Sequence, residues 1–319
     1  MCVIKSGTDI NFAAQLLKKN KVVGIPTETV YGLAANAYAE EAILSVFKIK
    51  NRPFFDPLIV HVSCINQVNE IAHWHDERLK RLAEHFWPGP LSLLLPKKTI
   101  IPDIVTSGLS QVAVRMPQHP LCLELLNRIA FPLAAPSANP FGYISPTEAQ
   151  HVLDQLKSQI DYVLDGGPCT IGLESSIVGI ENNQLTLFRA GGISCEAIEQ
   201  VAGTLHLNTS KSDNPKTPGQ LKSHYAPKIP MYAGPLTKLL KKWGTKKVAL
   251  LYTGTENYNV YFKFNLSPTH NNDEIARNMF RAFRAADQSG ADVILISFVE
   301  NTGLGMAIND RIARAVIRD

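Results

Sequence analysis

The chain has 319 residues, of which 45% are hydrophobic and 19% are charged, and this composition is that of a folded globular protein long enough for two packed domains. Its formal net charge of +4 is compatible with anionic substrates or RNA but is far below that of a nucleic-acid-binding arm. Five scattered cysteines without a CxxC pair argue against disulfides and structural zinc and favour a reducing cytoplasm. The lack of any run of about 18 apolar residues argues against a signal peptide and a membrane span.

Residues 1–205 alternate helical patterns with short apolar runs, which is typical of an α/β domain. Residues 8–20 carry an apolar helical face and Thr8 as the expected N-cap, and "KVVGIPTETVYGL" predicts a strand ending in a turn. A second helix is predicted over roughly 39–50. Further strands are predicted from "PLIVHV", "LSLLLP", "QVAVRMP", "FPLAAPS", "YVLDGG", "ESSIVGI" and "LTLFRAGG", and further helices near 76–86, 119–129 and 147–157.

Residues 206–230 lose this periodicity and are rich in Pro, Ser, Asn and Lys, so they are interpreted as either a linker or a functional lid. Beyond them, "KVALLYTG", a helix from "NDEIARNMFRAFRAADQSG", the strand "ADVILISFV" and a helix from "AINDRIARAVIRD" predict a small Rossmann-like domain over 231–319. Within it, "GLGMAI" at 303–308 matches only part of a dinucleotide fingerprint, since no acidic residue follows about 20 positions later.

No P-loop, HExxH or GxSxG motif occurs, so the chemistry must lie in polar residues at strand ends. In "PTETVYGL", Thr29 offers a hydroxyl to a small polar ligand, although the same residues also suit a capped turn. Lys50 and Arg52, two residues apart before Pro53, could form an anion pocket or simply end a helix at its negative pole.

Further candidates follow in chain order. Arg115 ends an alternating strand and offers a forked donor to a carboxylate, whereas His61 inside "LIVHV" also fits a core position. The remaining candidates are Ser137, Asn139 and Ser145 in the loop "APSANPFGYISPTEA", where Ser145 or Thr147 is the expected cap of the next helix, then Ser175 in "GLESSIVGI" and Arg189 in "LFRAGGI".

Taken together, these blocks resemble the threonylcarbamoyl-AMP synthase family in its long form, in which a YrdC-type domain is followed by a linker and a smaller domain. The resemblance covers the whole chain and is carried by "PTETVYGL", "KNRP" with "PLIVHV", "FWPGPLSLLL", "APSAN" with "SPT", "GLESS", "FRAGG" and "HYAP". It implies a twisted, open, mixed sheet with helices, followed by the Rossmann-like domain.

The family makes threonylcarbamoyl-adenylate from L-threonine, bicarbonate and ATP, and the product feeds the tRNA threonylcarbamoyl transferase machinery of the cytoplasm. The resemblance places Arg115 on the threonine carboxylate, with Thr29, His61, Ser137 and Ser175 around the rest of the amino acid. It places Lys50 and Arg52 at the reacting oxygens as catalytic residues. The ATP contacts it implies are Arg52, Asp56, Gln111, Asn139, Ser145, Arg189 and Tyr225.

Two positions depart from the family pattern. Asp56 stands where asparagine is usual, and its carboxylate would repel phosphate unless Arg52 or Mg²⁺ pairs with it. Gln111 stands where threonine is common and can still donate a hydrogen bond. Mg²⁺ is expected with ATP, without an assigned protein ligand. Because the mixed anhydride product hydrolyses readily, residues 206–230 are expected to close over the site as a lid.

Two other classes compete with this interpretation. A non-catalytic RNA-binding protein of YrdC-like fold is compatible with the basic charge, but no run of basic residues interleaved with exposed aromatics is evident, and we expect at most a weak direct contact with tRNA. Maturation factors that use a YrdC-like domain on carbamoyl phosphate are longer and carry zinc-finger-like cysteines, which this sequence lacks.

Overall fold

The computed structural model describes residues 5–208 and 225–317. Their strands form two sheets, one mixed with eleven strands and one parallel with four. A mixed sheet followed by a small parallel α/β unit is the architecture that the sequence predicts.

The first sheet has the strand order β1-β8-β2-β3-β7-β4-β6-β5-β9-β10-β11. In chain order its strands are β1 (Lys5–Gly7), β2 (Val23–Ile25), β3 (Gly32–Asn36), β4 (Ile59–His61), β5 (Leu91–Pro96), β6 (Gln111–Arg115), β7 (Leu133–Ala134), β8 (Tyr162–Leu164), β9 (Ser176–Glu181), β10 (Gln184–Arg189) and β11 (His206–Leu207). The central strands are buried on both faces, which explains why they appear in the sequence as continuous apolar runs.

Helices cover both faces of this sheet. They are α1 (Ile10–Lys18), α2 (Glu40–Lys50), α3 (Ile65–Ile71), α4 (Glu77–Phe86), α5 (Asp103–Thr106), α6 (Pro120–Asn127), α7 (Ala149–Leu156) and α8 (Cys195–Ala202). Helix α1 begins one residue later than predicted, because the carboxylate of Asp9, and not Thr8, accepts the backbone N–H of Phe12 at 3.0 Å.

The second sheet has the order β12-β15-β13-β14. Its elements are β12 (Met231–Ala233), α9 (Leu236–Trp243), β13 (Val248–Thr253), β14 (Phe262–Ser267), α10 (Asn272–Asp287), β15 (Val293–Ile296) and α11 (Gly305–Ala315). The sequence predicted β13, β15 and the two long helices. It did not reveal β12, which has three residues, α9, which has no buried residue, or β14, in which only the last two residues are buried.

The two sheets are joined by a shared core. Val30, Ile144 and Leu173 of the first unit pack with residues of α10, α11 and the second sheet. The predicted linker begins with β11, and residues 209–224 lie outside the described residues. Among the helices that are described, none has the length and apolarity needed to cross a membrane.

Candidate active site

A cavity of about 50 Å³ lies at the strand ends of the first sheet. It is walled by the β2–β3 turn, β4, the ends of β6 and β10, and the segments that follow β7 and precede β9. The lining residues are Thr27, Thr29, Val30, Gly32, Arg52, Ile59, His61, Arg115, Ala135, Pro136, Ser137, Glu174, Ser175, Arg189 and Tyr225. This set includes eight of the thirteen predicted site residues, from seven separate sequence blocks. It leaves out Lys50, Asp56, Gln111, Asn139 and Ser145.

Arg115 is fixed at the end of β6 by three different acceptors. Its Nη1 donates to Thr29 Oγ1 at 2.8 Å and its Nε to the carbonyl of Gly89 at 3.1 Å, while Nη2 lies 2.6 Å from Glu28 Oε1 in a buried ion pair. Thr27 Oγ1 in turn lies 2.8 Å from Thr29 Oγ1 and donates to the Val30 carbonyl at 2.6 Å. This chain of bonds holds the guanidinium at the cavity wall.

His61 ends β4, beside Arg115, and is 3% exposed. Burial, with a smaller contribution from the Arg115 charge, lowers the pKa of His61 to about 3, so the ring is neutral at pH 7. Its Nδ1 is buried and has no hydrogen-bond partner in the part of the chain that the structure describes. A buried polar atom at a cavity wall is a site at which a ligand can complete the hydrogen bonding.

Arg52 lines the cavity and is held from behind by the turn that follows it. Its Nε donates to the Asp56 carbonyl at 2.9 Å and its Nη2 to the Pro57 carbonyl at 2.8 Å, and Nη2 is 2.9 Å from the Asp56 carboxylate. Asp56 is fully buried and does not line the cavity. Arg52 or Mg²⁺ was considered as the partner of the Asp56 carboxylate, and the structure pairs it with Arg52.

Lys50 diverges from Arg52, because the left-handed Asn51 turns the chain between them. Lys50 is 1% exposed, and its ammonium donates to the carbonyl of Ser137, at 2.5 Å, and to the carbonyl of Asn139. Burial, and secondarily the Arg52 charge, lower the pKa of Lys50 well below its ordinary value. Lys50 thus ties the loop after β7 to α2, and its contact with substrate oxygens stays a prediction.

Arg189 and Ser175 line the cavity and are bonded to each other. Arg189 Nε donates to the Ser175 carbonyl at 3.0 Å and Nη2 to its Oγ at 3.0 Å, and that hydroxyl lies 2.7 Å from Ser92 Oγ. Burial lowers the pKa of Arg189 to about 10. Arg189 remains a cation at pH 7, so Arg52, Arg115 and Arg189 bring three buried positive charges to one cavity.

Glu174 connects the cavity to the second domain. Its Oε1 accepts from Ser145 Oγ at 2.6 Å and its Oε2 from Arg311 Nε at 2.8 Å. Arg311, on α11, also donates to the Ala190 carbonyl at 3.0 Å, and its guanidinium lies 5.3 Å from the ring centroid of Tyr225. The pKa of Glu174 is lowered, because these cations and donors outweigh its burial. The second domain therefore supplies a side chain that holds the cavity wall.

The other predicted residues lie away from the lining. The amide of Asn139 donates to the carbonyls of Pro140 and Tyr143, at 2.8 and 2.9 Å, and thus shapes the loop. Ser145 does not cap α7, whose N-cap is Glu148, because its hydroxyl is used by Glu174. Gln111 begins β6, where it pairs with Pro96, and Arg115 ends the same strand. Since a strand rises roughly 3.3 Å per residue, the whole length of β6 separates the two residues. The structure does not bring Gln111 to the cavity.

Sequence reasoning missed Glu28, Glu174 and Arg311. The two acids stand inside "PTETVYGL" and "GLESS", where only the hydroxyl residues around them were considered. Arg311 falls on the apolar stripe formed by Ala307, Ile308, Ile312 and Ala315, all of them buried. A charge inside such a stripe is the signal that could have identified it.

Comparison with known proteins agrees with this architecture. The Sua5–YciO–YrdC family model, described as "Telomere recombination", matches residues 15–191, and the model described as "Threonylcarbamoyl-AMP synthase, C-terminal domain" matches residues 193–316. Two proteins named threonylcarbamoyl-AMP synthase are similar over nearly the whole chain. That of Pyrococcus abyssi is 40% identical, with 96% of this chain and 93% of the relative covered. That of Bacillus subtilis is 38% identical, with 95% and 91% covered.

The structure of P. abyssi Sua5 complexed with L-threonine superposes with a TM-score of 0.91 at 36% identity and covers 99% of both chains. The fold of the relative and that of this chain therefore agree in both sheets. The chain belongs to the Sua5–YciO–YrdC family, in the form that carries the threonylcarbamoyl-AMP synthase C-terminal domain.

Proposed function

We propose that the protein synthesises L-threonylcarbamoyladenylate from L-threonine, bicarbonate and ATP, with release of pyrophosphate, for the threonylcarbamoyladenosine modification of tRNA. The observation that carries this proposal is the convergence in one cavity of Arg52, Arg115, Arg189 and His61, whose buried Nδ1 has no hydrogen-bond partner among the residues that the structure describes. The names of the relatives and the L-threonine bound to P. abyssi Sua5 support the same activity.

The threonine half of the site is assigned to the Arg115 wall. A carboxylate would receive the Arg115 guanidinium, whose orientation is fixed by Glu28 and Thr29. The Nδ1 of the neutral His61 would complete the hydrogen bonding of the amine or hydroxyl, beside Ser137 and Ser175. A buried ion pair behind the binding group preorganises it before the substrate arrives.

The nucleotide half is assigned to Arg52 and Arg189, with Tyr225 at the same wall. In the reaction the threonine amine attacks bicarbonate and water is lost, and the resulting carbamate oxygen then displaces pyrophosphate at the α-phosphorus of ATP. Both steps gather negative charge, which fixed arginines in a buried site stabilise. Glu174 already accepts two hydrogen bonds and has a lowered pKa, so we assign it a positioning role and not that of a base.

Mg²⁺ enters this proposal as part of the nucleotide substrate. Glu28, Asp56 and Glu174 are the buried carboxylates nearest the arginines, and each is paired with Arg115, Arg52 or Arg311. We therefore assign the ion to the triphosphate oxygens. The downstream consumer is the tRNA threonylcarbamoyl transferase machinery, and the proposed compartment is the cytoplasm.

A cavity of about 50 Å³ is far smaller than the roughly 300–1,000 Å³ of ordinary ligand pockets, so ATP binding requires the wall to move. We propose that residues 206–230 act as the lid over the site, with residues 231–319 as the domain that anchors it. Tyr225 is the part of this segment that supports the idea, since it is 1% exposed and lines the cavity. Tyr225→Ala should lower the yield of adenylate per ATP consumed, and an unchanged yield would contradict the lid.

The function is tested by incubating the purified chain with ATP, Mg²⁺, bicarbonate and labelled L-threonine. We expect labelled adenylate and pyrophosphate in equal amounts, and neither when threonine or bicarbonate is omitted. Failure to form the adenylate, or pyrophosphate release that does not depend on threonine, would overturn the proposal. The first of these results would leave the non-catalytic RNA-binding interpretation.

A further inference from the structure

The Asp56 carboxylate is a buried charge with one close partner among the residues that the structure describes. It lies in the turn between α2 and β4, is 0% exposed, and its Oδ2 is 2.9 Å from Arg52 Nη2. Neither of its oxygens accepts a hydrogen bond of normal geometry from the described part of the chain. The Nη2 of Arg52 donates instead to the Pro57 carbonyl, at 2.8 Å. Asp56 therefore depends on the positive charge around it, and not on hydrogen bonds, to stay ionised.

That positive charge comes from three side chains on different elements. Burial raises the pKa of the Asp56 carboxyl above its ordinary value, and it outweighs the opposing charges of Arg52, Lys50 and Arg189. Arg52 and Arg189 also line the cavity, whereas Asp56 stands outside its lining. The carboxylate thus lies behind cations to which the proposed function assigns the phosphates of ATP.

A bound triphosphate would weaken the stabilisation of the Asp56 anion. Its negative charges would lie against Arg52 and Arg189, so the same cations would be shared between phosphate and carboxylate. One guanidinium group would separate the nearest phosphate from Asp56, a distance shorter than the Debye length of about 8 Å at physiological salt. Repulsion between like charges at a buried position favours the neutral form of an acid.

We propose that Asp56 takes up a proton from solvent when ATP binds, and that ATP affinity consequently falls as the pH rises. This inference rests on the proposed function, because it needs ATP phosphates on Arg52 and Arg189. The proton replaces part of the positive charge that the phosphates claim, and it returns to solvent when the nucleotide leaves. Because ATP tightens the binding of the proton, the proton must tighten the binding of ATP by the same factor, and this reciprocity fixes the sign of the pH effect.

Lys50 is the other group at this position that could gain a proton. Its pKa is lowered, by burial first and by the Arg52 charge second. Its amine already donates to the carbonyls of Ser137 and Asn139, and these acceptors favour the charged form before any nucleotide arrives. Tyr225 also faces Arg52, and burial raises the pKa of its hydroxyl to about 12, so it keeps its proton throughout.

The test is isothermal titration calorimetry of the full chain with ATP and saturating Mg²⁺, without threonine and bicarbonate. Repeating each titration in two buffers of different ionisation enthalpy gives the number of protons taken up. At the pH of greatest uptake, we expect the parent protein to take up at least about 0.3 proton per ATP bound. The Kd for ATP should rise at least about threefold between about pH 5.5 and 8.5.

Asp56→Asn keeps the shape of the side chain and removes the titrating group. This variant should take up less than about 0.1 proton per ATP. At the upper end of the pH range it should bind ATP at least about threefold more tightly than the parent, since asparagine carries no charge that repels phosphate.

Asp161→Asn is the matched control, because it changes the net charge equally at an exposed position. Asp161 precedes β8, whose parallel partner β2 runs from that edge of the sheet toward the cavity. This variant should keep both the proton uptake and the ATP affinity of the parent.

Absence of proton uptake by the parent protein, which needs no variant, would overturn the inference. Equal uptake by the parent and Asp56→Asn would overturn it too. Uptake that survives in Asp56→Asn but is lost in Lys50→Met would assign the proton to Lys50, with the same consequence. In all three cases ATP is bound, so the proposed function stands. If the parent binds no ATP at any pH, the proposed function fails and this inference fails with it.

Discussion

Replacing Arg311 by methionine should show that the second domain holds the catalytic cavity in shape. Methionine keeps much of the side-chain volume but removes the bond to Glu174 at 2.8 Å and the bond to the Ala190 carbonyl at 3.0 Å. Arg311 is 0% exposed and Glu174 is 6% exposed, so the change leaves a carboxylate buried without its cation. Breaking a buried pair in this way costs about 3–5 kcal/mol.

The measurement is the free energy of unfolding in urea, together with kcat/KM for threonine-dependent pyrophosphate release. Arg281 supplies a matched control, because it also pairs an arginine of the second domain with a glutamate of the first: its Nε lies 3.9 Å from Glu148 Oε1. Unlike Arg311, the Arg281 side chain is 62% exposed. Arg281→Met should cost less than about 1 kcal/mol. We expect Arg311→Met to lower kcat/KM at least tenfold, since Glu174 and Tyr225 both line the cavity.

Adding Glu174→Gln to Arg311→Met removes the orphaned charge and should restore part of the lost stability, with a coupling energy of about 2 kcal/mol in the double-mutant cycle. Strictly additive losses in the cycle, or equal losses for Arg311→Met and Arg281→Met, would refute the reasoning.

Three further predictions concern the cavity. Arg115→Ala should raise the KM for threonine by about 10- to 150-fold, through loss of a charged hydrogen bond of about 1.5–3 kcal/mol, and a larger loss for ATP would contradict the assignment. Lys50→Met should destabilise the fold by about 2 kcal/mol, because two buried carbonyls lose their donor, and urea unfolding at unchanged stability would argue against this role. His61 has a pKa of about 3 when folded and about 6.5 when unfolded, so protonation of the unfolded chain should lower stability as the pH falls from 6.5 toward 3. At pH 4.5 the loss of stability amounts to about 3 kcal/mol. His61→Gln should flatten the pH dependence of the free energy of unfolding, whereas His75→Gln, at an exposed position, should not. The same pH dependence in both variants would reject the lowered pKa of His61.

The sequence predicted the strands of the first sheet well, because buried strands and amphipathic helices have distinct periods. Blocks such as "LSLLLP" and "QVAVRMP" became β5 and β6, with Arg115 at the strand end where it was expected. Helix α9 escaped notice because it buries no residue fully, and its four apolar positions are interrupted by three lysines. Its apolar residues pack on strands of the second sheet that follow it in the chain.

The sequence predicted part of the cavity, because several lining residues lie at the ends of strands that the sequence also predicted. The resemblance assigned His61 and Arg115 to the same amino acid, and the structure shows the two side by side in the register of β4 and β6 at one cavity. Lys50 does not line that cavity with Arg52, because the left-handed backbone of Asn51 separates the two residues, and no pattern in "KNRP" shows that turn. The pairing of Glu174 with Arg311 depends on docking of the second domain, which spacing along the chain does not reveal.

A crystal structure of the protein with L-threonine and a non-hydrolysable ATP analogue tests the central claim most directly. The account predicts the threonine carboxylate on Arg115, a polar atom of the amino acid within hydrogen-bond distance of His61, and phosphate oxygens on Arg52 and Arg189, all in one enlarged cavity. Ligands bound elsewhere, with the three arginines keeping only the protein contacts described above, would contradict it.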